Sequence, residues 1–196
     1  MSNGVVFKDI ADRYDRLNAV LSLGQDQKWR NTVVSRLPHG RLLDLGAGTG
    51  AANDIFGDRQ VTGLDPAPEM LAFNNAADRV VAVGEDLPFE DATFDAVFSA
   101  DVFRNLDSVD ETMREVARVL KPGGWAGIID LGRPVGAMSA RNHRLGTSVV
   151  LPLAGMTSGG REEYVDLPQT RDTLEPQGEL LANSPLERRD RWRLGP

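Results

Sequence analysis

Residues 41–50, RLLDLGAGTG, join a short apolar run to a glycine-rich loop. The run from Arg41 to Gly46 has the length and leucine content of a buried strand. The glycines that follow let the backbone approach a ligand closely, at the place where a helix would begin. The stretch therefore predicts a strand, a ligand-binding loop and a helix, in that order.

The residues on either side of this loop alternate short apolar runs with helical segments. The strand candidates are residues 41–46, 60–65, 79–84, 94–100 and 124–132, and the helix candidates are residues 50–56, 67–77 and 108–120. Strands that alternate with helices form a parallel sheet covered by helices on both faces. We therefore expect an α/β fold with a mostly parallel, twisted sheet.

Helical periodicity marks the residues that precede the first strand. Apolar side chains recur there at steps of three and four residues, at Val6, Phe7, Ile10, Tyr14, Leu17 and Leu21. Gly24 interrupts the pattern, and Asp26 is the predicted cap of a second helix that runs to about Leu37.

The composition is that of one globular domain. The chain has 196 residues, of which 41% are hydrophobic and 26% charged, and its formal net charge is −7. A negative charge argues against a general nucleic-acid-binding protein. The absence of cysteine excludes disulfides and thiol catalysis, and neither a signal peptide nor a membrane-spanning run is visible. We expect a cytoplasmic protein.

The glycine loop alone is compatible with more than one cofactor. Gly46, Gly48 and Ala51 satisfy the dinucleotide fingerprint GxGxxA, and Asp65 lies where a ribose-binding acid is expected. A nicotinamide oxidoreductase is therefore one alternative. Asp44, however, places a carboxylate beneath the ligand, which disfavours a pyrophosphate but suits an ammonium or sulfonium group.

Four motifs in a fixed order distinguish these alternatives. They are LDLGAGTG (43–50), GLDPAPEML (63–71), EDLPFEDATFD (85–95) and RVLKPGG (118–124). This order resembles the class I S-adenosylmethionine-dependent methyltransferases, over residues 42–124. The resemblance implies a Rossmann-like fold, S-adenosylmethionine as methyl donor and S-adenosylhomocysteine as product. It implies cofactor binding by Asp44, Gly46, Ala47, Gly48, Gly50, Asp65, Pro66, Met70, Gly84, Glu85, Asp86 and Leu87.

Within this resemblance, Asp44 and the glycine loop hold the methionine portion, and Asp65 binds the ribose hydroxyls. One position departs from the family. Where relatives usually have Asp or Asn to read the adenine amino group, this chain has Val83. We therefore expect adenine to depend on backbone contacts near Gly84 and Glu85, while Glu85 and Asp86 could equally be solvated turn residues.

The N-terminal stretch YDRLNAVLSLGQDQKWR (14–30) narrows the family further. It resembles the N-terminal signature of the ubiquinone and menaquinone biosynthesis C-methyltransferases. FRN (103–105) after the fourth strand resembles that family's LRN segment, and LPLAG (151–155) resembles its substrate cap. The resemblance runs from about Phe7 to Leu174 and implies a quinol or phenol as the small-molecule acceptor.

The resemblance also suggests catalytic residues for this acceptor. Arg104 is the expected donor to the ring oxygen, with Tyr14 and Asn105 as hydrogen-bond partners or parts of a water relay. Other polar residues keep more than one interpretation. Arg30 could pair with Asp15 or with the cofactor carboxylate, and Asp130 could be structural or catalytic. We discount His39 as a base, because it precedes the first strand, and we expect no metal site.

We expect a single domain over residues 1–196. It comprises an N-terminal helical flap (1–40), a cofactor-binding core (41–132) and a substrate cap with the last strand (133–196). Residues 185–194 offer one strand where the family has a hairpin, so we expect an incomplete or rearranged hairpin and a homodimer that covers the exposed edge. Residues 133–160 are the expected place of transient membrane contact. Two alternatives stay open: a methyltransferase of this fold with another acceptor, and a non-catalytic cofactor-binding relative.

Overall fold

A computed structural model describes residues 25–130 and Leu186. The elements in chain order are helix α1 (Asp26–Val34), strand β1 (Arg41–Leu45), a 3₁₀ turn (Asn53–Ile55), strand β2 (Gln60–Asp65), helix α2 (Pro68–Leu71), strand β3 (Asp78–Val81), strand β4 (Phe94–Ala100), a second 3₁₀ turn (Phe103–Asn105), helix α3 (Val109–Val119) and strand β5 (Leu120–Ile129). Tyr14, most of the flap, and the cap with the last strand lie outside the described residues.

The five strands form one sheet in the order β3-β2-β1-β4-β5, and every neighbouring pair is parallel. This confirms the predicted α/β fold. The chain moves from β1 to β2 on one side, and β4 lies on the other side of β1. The order therefore reverses between β1 and β4, and in open α/β sheets a ligand crevice forms at the carboxyl ends of such strands.

Helices cover both faces of the sheet, as predicted. Leu43 and Leu45 of β1 belong to an apolar cluster that includes Val116 and Val119 of α3. Leu42, which points the opposite way, belongs to a second cluster that also contains Val33 and Val34 of α1, Phe56 and Phe98. The alternation along β1 is what a strand buried on both faces requires. None of the helices within residues 25–130 is long and apolar enough to cross a membrane.

Helix α1 is shorter than predicted, and its boundaries are fixed by other residues. Its N-cap is Gln25, so the prediction that Asp26 caps it is wrong. The guanidinium of Arg59 lies at its C-terminal end. Nη2 donates to the carbonyl of Val34 at 3.1 Å and to that of Leu37 at 2.7 Å. Nε donates to Pro38 O at 3.0 Å, and Nη1 donates to Phe56 O at 2.9 Å. These bonds connect the end of α1 and the turn that follows it to the segment that precedes β2.

Two helix predictions are wrong. The predicted helix 50–56 is a 3₁₀ turn of three residues. Gly50 and Gly57 bound this segment with φ of 85° and 66°, which ends helical geometry at each side. The predicted helix 67–77 stops at Leu71. Asn74 follows it and donates to Gly48 O at 3.2 Å, a bond that fixes its position outside a continued helix.

The strand at the far edge of this sheet begins earlier than predicted. β5 starts at Leu120, inside the RVLKPGG motif, and reaches Ile129. Leu120 pairs with Phe94, whereas Trp125 pairs with Ala96, so the register shifts between these pairs. The irregularity accommodates Pro122, which has no N–H for a ladder bond. At the opposite edge, β3 covers Asp78–Val81 rather than 79–84.

Candidate active site

The glycine loop turns back over the end of β2. The N–H groups of Gly46 and Ala47 both donate to Leu64 O, at 2.8 and 2.9 Å. Gly46 has φ of 74°, and a Cβ there would overlap the side chain of Val102. Gly48 differs, because a Cβ on it would have no neighbour closer than 4.0 Å. The atoms at that distance are Asp65 Oδ2 and Met70 Cε, so the loop leaves an open cradle between an acid and a thioether.

Asp65 connects the loop to helix α2. Its Oδ2 accepts a hydrogen bond from Gly48 N at 2.9 Å, and its Oδ1 accepts one from Ala67 N at 2.9 Å. Each carboxylate oxygen has a second lone pair for a further donor such as a sugar hydroxyl. The structure thus brings Asp65, Gly48 and Met70 together, as the resemblance requires. Pro66 is exposed beside them.

Asp44 lies beneath the loop and is only 3% exposed. Burial raises its pKa to about 7, because the carboxylate loses its hydration; the positive charge of Arg30 opposes this rise, and the negative charge of Asp65 adds to it. Near neutral pH this acid therefore exists in both protonation states. A cationic group bound above it would favour the carboxylate.

Asn74 supports the loop from below, and the sequence reasoning missed it. The residue is 1% exposed, and its Nδ2 donates to Ala47 O at 3.4 Å and to Gly48 O at 3.2 Å. Its Oδ1 accepts from Ala76 N at 2.8 Å. The sequence around it, NNAA, contains no motif that signals this role.

The loop after β3 also lies at the carboxyl ends of the strands, and it contains Gly84, Glu85, Asp86 and Leu87. Glu85 Oε1 accepts from the backbone N–H groups of Asp107 at 3.0 Å and Ser108 at 3.2 Å. This carboxylate therefore satisfies N–H groups at the start of α3, and a cofactor role for Glu85 stays a prediction. Asp86 is exposed. Leu87 is buried, and its N–H donates to Glu115 Oε2 at 2.9 Å.

Four charged side chains meet beyond the carboxyl ends of β4 and β5, and we call them the rim cluster: Arg30, Asp101, Arg104 and Asp130. Arg104 Nη1 lies 3.0 Å from Asp101 Oδ1 and 3.3 Å from Asp130 Oδ1. Arg30 Nη2 lies 3.4 Å from Asp101 Oδ2. The four side chains are 9% to 19% exposed. Two cations and two anions make the cluster neutral overall.

The rim cluster gives contacts for two residues that the sequence left open. Arg30 pairs with Asp101, and its expected pairing with Asp15 or with the cofactor carboxylate stays a prediction. Asp130 is structural at least in part, because its Oδ2 also accepts from Arg104 N at 3.3 Å. Asp101 was missed. It directly follows β4, just as Asp65 ends β2, so a search for acidic residues at the carboxyl ends of the strands would have found it.

The predicted residue Asn105 and the discounted His39 both lie apart from these contacts. Asn105 is exposed at the end of the second 3₁₀ turn. His39 lies at the amino end of β1, where its Nδ1 is 2.8 Å from Asp58 Oδ1. Within residues 25–130, no group of three or more His, Cys, Asp or Glu side chains could hold a metal ion.

Comparison with known proteins identifies the family. A family model described as "Methyltransferase domain" matches residues 43–128. The ubiquinone/menaquinone biosynthesis C-methyltransferase UbiE of Geotalea daltonii is 34% identical over 195 residues, covering 90% of this chain and 83% of that protein. The demethylmenaquinone methyltransferase of Thermus thermophilus is 36% identical over 195 residues, covering 90% and 87%.

A solved structure supports the fold. The SAM-dependent methyltransferase of Thermotoga maritima has a TM-score of 0.56 at 21% identity, covering 74% of this chain and 69% of that one. The donor set also fits S-adenosylmethionine, since a buried acid lies beneath an open cradle that a second acid borders. These findings decide against a nicotinamide oxidoreductase. The chain belongs to the family of ubiquinone/menaquinone biosynthesis C-methyltransferases and is an S-adenosylmethionine-dependent methyltransferase that acts on a small molecule.

Proposed function

We propose that the acceptor is the ring of a quinol, methylated at a ring carbon in ubiquinone or menaquinone biosynthesis. The names of the relatives from Geotalea daltonii and Thermus thermophilus support this acceptor. The observation that carries it in the structure is the position of Arg104. Its side chain is 9% exposed and is held by Asp101 and Asp130 beyond the carboxyl ends of β4 and β5, where open α/β sheets bind ligands. A fixed cation there suits a ring oxygen that gains negative charge.

The cofactor would be held by the residues around the cradle. Asp44 would face the ammonium and sulfonium groups, the loop Gly46–Gly50 would contact the methionine portion, and Asp65 would accept from the ribose hydroxyls. Pro66 and Met70 would border the ribose, and residues 84–87 would contact adenine. When bound, S-adenosylmethionine supplies the electrophilic methyl group and leaves as S-adenosylhomocysteine.

The chain's own contribution would be alignment and charge stabilisation. Residues that hold the ring carbon in line with the methyl group can lower the barrier by up to about 7–11 kcal/mol. Arg104 would stabilise the negative charge on the ring oxygen, and Asn105 and Tyr14 would orient the hydroxyl group. Tyr14 lies outside the described residues, so its part rests on the N-terminal signature alone.

Three further parts of the proposal concern the surroundings of the enzyme. We propose a cytoplasmic protein, a homodimer, and transient contact of residues 133–160 with a membrane surface that holds a polyprenyl acceptor. Size-exclusion chromatography with light scattering tests the dimer, and a clean monomer would contradict it. Co-sedimentation with vesicles tests the membrane contact, for which recovery of all protein in the supernatant is the contrary result.

The decisive experiment is incubation with labelled S-adenosylmethionine and a panel of demethylated quinols. Wild type is compared with Arg104→Ala and with a control, Arg41→Ala, at the amino end of β1. We expect Arg104→Ala to lower kcat/KM for the quinol about 100-fold, the usual effect of removing one charge-stabilising donor, and the control to keep its activity. Transfer to no quinol would defeat the proposed acceptor. Equal transfer by wild type and Arg104→Ala would defeat only the role of Arg104.

A further inference from the structure

We propose that Asp101 is a positioning residue for methyl transfer, whose carboxylate holds one arginine on the cofactor side of the crevice and another on the acceptor side. The two arginines are Arg30 and Arg104. The proposal deepens the function proposed above and rests on it, because it assumes that Arg104 serves the acceptor. It assigns a role to Asp101, the residue of the rim cluster that the sequence analysis did not select.

The backbone places Asp101 at the point where the strand order reverses. It is the first residue after β4, and its N–H donates to Ile129 O of the neighbouring strand at 2.8 Å. Its φ is 64°, a left-handed conformation that residues other than glycine adopt at a cost in free energy. Such conformations persist where the surrounding contacts determine them, and they concentrate at functional sites.

The two carboxylate oxygens of Asp101 are divided between two segments of the chain. Oδ1 lies 3.0 Å from Nη1 of Arg104, in the turn that follows β4. Oδ2 lies 3.4 Å from Nη2 of Arg30, on helix α1. Side chains so shielded from water interact more strongly than surface ion pairs do. One carboxylate thus ties α1 to the turn that carries the proposed acceptor-binding residue.

Arg30 extends this connection to the cofactor side. Its positive charge acts on Asp44, and it lowers the pKa of that acid against the effect of burial. Among the described residues, Asp65 at the end of β2 also acts on Asp44 and raises its pKa. Through Arg30, therefore, Asp101 influences the acid that lies beneath the cofactor loop, although the two aspartates are on different strands.

Loss of the Asp101 carboxylate would affect the two arginines unequally. Arg104 would keep Asp130, which contacts both its guanidinium and its backbone N–H. Arg30 would lose the carboxylate that holds it, and its average distance from Asp44 would increase. Asp44 would then take up a proton at higher pH. Binding of a ligand with an ammonium group, such as S-adenosylhomocysteine, would consequently require a higher pH than in wild type.

The test uses variants that keep the backbone. Asparagine and glycine both tolerate a left-handed φ, so Asp101→Asn and Asp101→Gly remove the charge without new strain. Asp58→Asn is the matched control, an aspartate that is paired with His39 at the amino ends of β1 and β2. We measure kcat, KM for both substrates, the melting temperature, and S-adenosylhomocysteine binding between pH 5 and 9.

We expect both Asp101 variants to lower kcat about tenfold or more, as misplacement of an aligned group does, and to raise the pH midpoint of S-adenosylhomocysteine binding by about one unit. In an Arg30→Gln background, the shift in midpoint caused by Asp101→Asn should vanish, because Asp101 acts through Arg30. Asp58→Asn should match wild type in kcat, in both KM values and in the pH midpoint.

Two results would overturn the proposal. One is a lowered melting temperature with wild-type kcat and an unchanged pH midpoint, which would make Asp101 a structural tie only. The other is an equal midpoint shift with and without Arg30. If wild type methylates no quinol, the proposed acceptor fails, yet the pH midpoint of cofactor binding still decides whether Asp101 acts on the cofactor side.

Discussion

Replacing Asp44 with asparagine should stabilise the protein without cofactor, and the gain should depend on pH. The pKa of Asp44 is about 7 in the folded chain, against an ordinary value of 3.8. The folded state therefore binds a proton that the unfolded chain releases between these values. The stability that this proton provides is complete below pH 3.8 and is lost as the pH rises towards 7. Asparagine has no such proton to lose.

The size of the gain follows from the difference between the two pKa values. One pKa unit corresponds to about 1.4 kcal/mol, so a difference of about three units gives about 4 kcal/mol at pH 8. At pH 5 stability has been lost only over the interval from pH 3.8 to pH 5, so the gain of Asp44→Asn over wild type is about 1.6 kcal/mol. The free energy of unfolding of Asp44→Asn minus that of wild type should thus grow by about 2.5 kcal/mol between pH 5 and pH 8.

Urea denaturation of both proteins at pH 5, 6, 7 and 8 measures this difference. Asp58→Asn is the control, because His39 lowers the pKa of Asp58 and its replacement should give no gain at alkaline pH. S-adenosylhomocysteine should bind Asp44→Asn more weakly than wild type, so stability and affinity change in opposite directions. A free-energy difference that stays constant from pH 5 to pH 8 would refute the reasoning about the burial of Asp44.

Five further substitutions, two of them controls, test the loop, the core and the contact between the β3 loop and the residues before α3. Gly48→Ala and Gly57→Ala both place a side chain at positive φ, and each should lower the free energy of unfolding by about 1 kcal/mol. Only Gly48→Ala should weaken S-adenosylhomocysteine binding, about tenfold, because only Gly48 borders the cradle. Equal affinities of the two variants in a binding titration would contradict the assignment of the cradle to the cofactor. Phe98→Ala, at a residue 0% exposed, should lower the free energy of unfolding by about 3–5 kcal/mol, whereas Val83→Ala, 46% exposed, should change it by less than about 0.5 kcal/mol. Glu85→Ala should cost about 1 kcal/mol and speed amide exchange at Asp107 and Ser108, just before α3, because it removes the acceptor of these two N–H groups; unchanged exchange at both would show that the contact contributes nothing.

The strands were predictable because their patterns are local. β1 and β4 are short apolar runs bounded by polar or glycine-containing turns, and they occur at or near the predicted residues. The helices at 50–56 and 67–77 were not predictable in the same way. Their ends depend on Gly57 at positive φ and on the side chain of Asn74, which bonds to a loop far away in sequence. A contact between residues far apart in the chain produces no periodic pattern of apolar residues in the sequence.

The residues of the candidate site also differ in whether local sequence patterns could predict them. The motifs identified Asp44, the glycine loop and Asp65, because cofactor binding constrains residue type at fixed spacing. They did not identify the pairing of Arg30 with Asp101, which joins residues 71 positions apart. Sequence spacing also offered no reason to expect a pKa near 7 at Asp44, since that value depends on burial and on charges that include Arg30 and Asp65.

The contacts of Arg59 have a consequence for genetics. One guanidinium donates to four carbonyl oxygens around the end of α1, and α1 carries Arg30 to the rim cluster. Lysine has only three N–H donors and no fixed fork, so it cannot replace these bonds. A loss-of-function screen would therefore recover Arg59 alleles as apparent active-site lesions, although Arg59 lies at the amino end of β2 and the candidate site lies at the carboxyl ends of the strands. Suppressors of such alleles should map to α1 rather than to the cofactor loop.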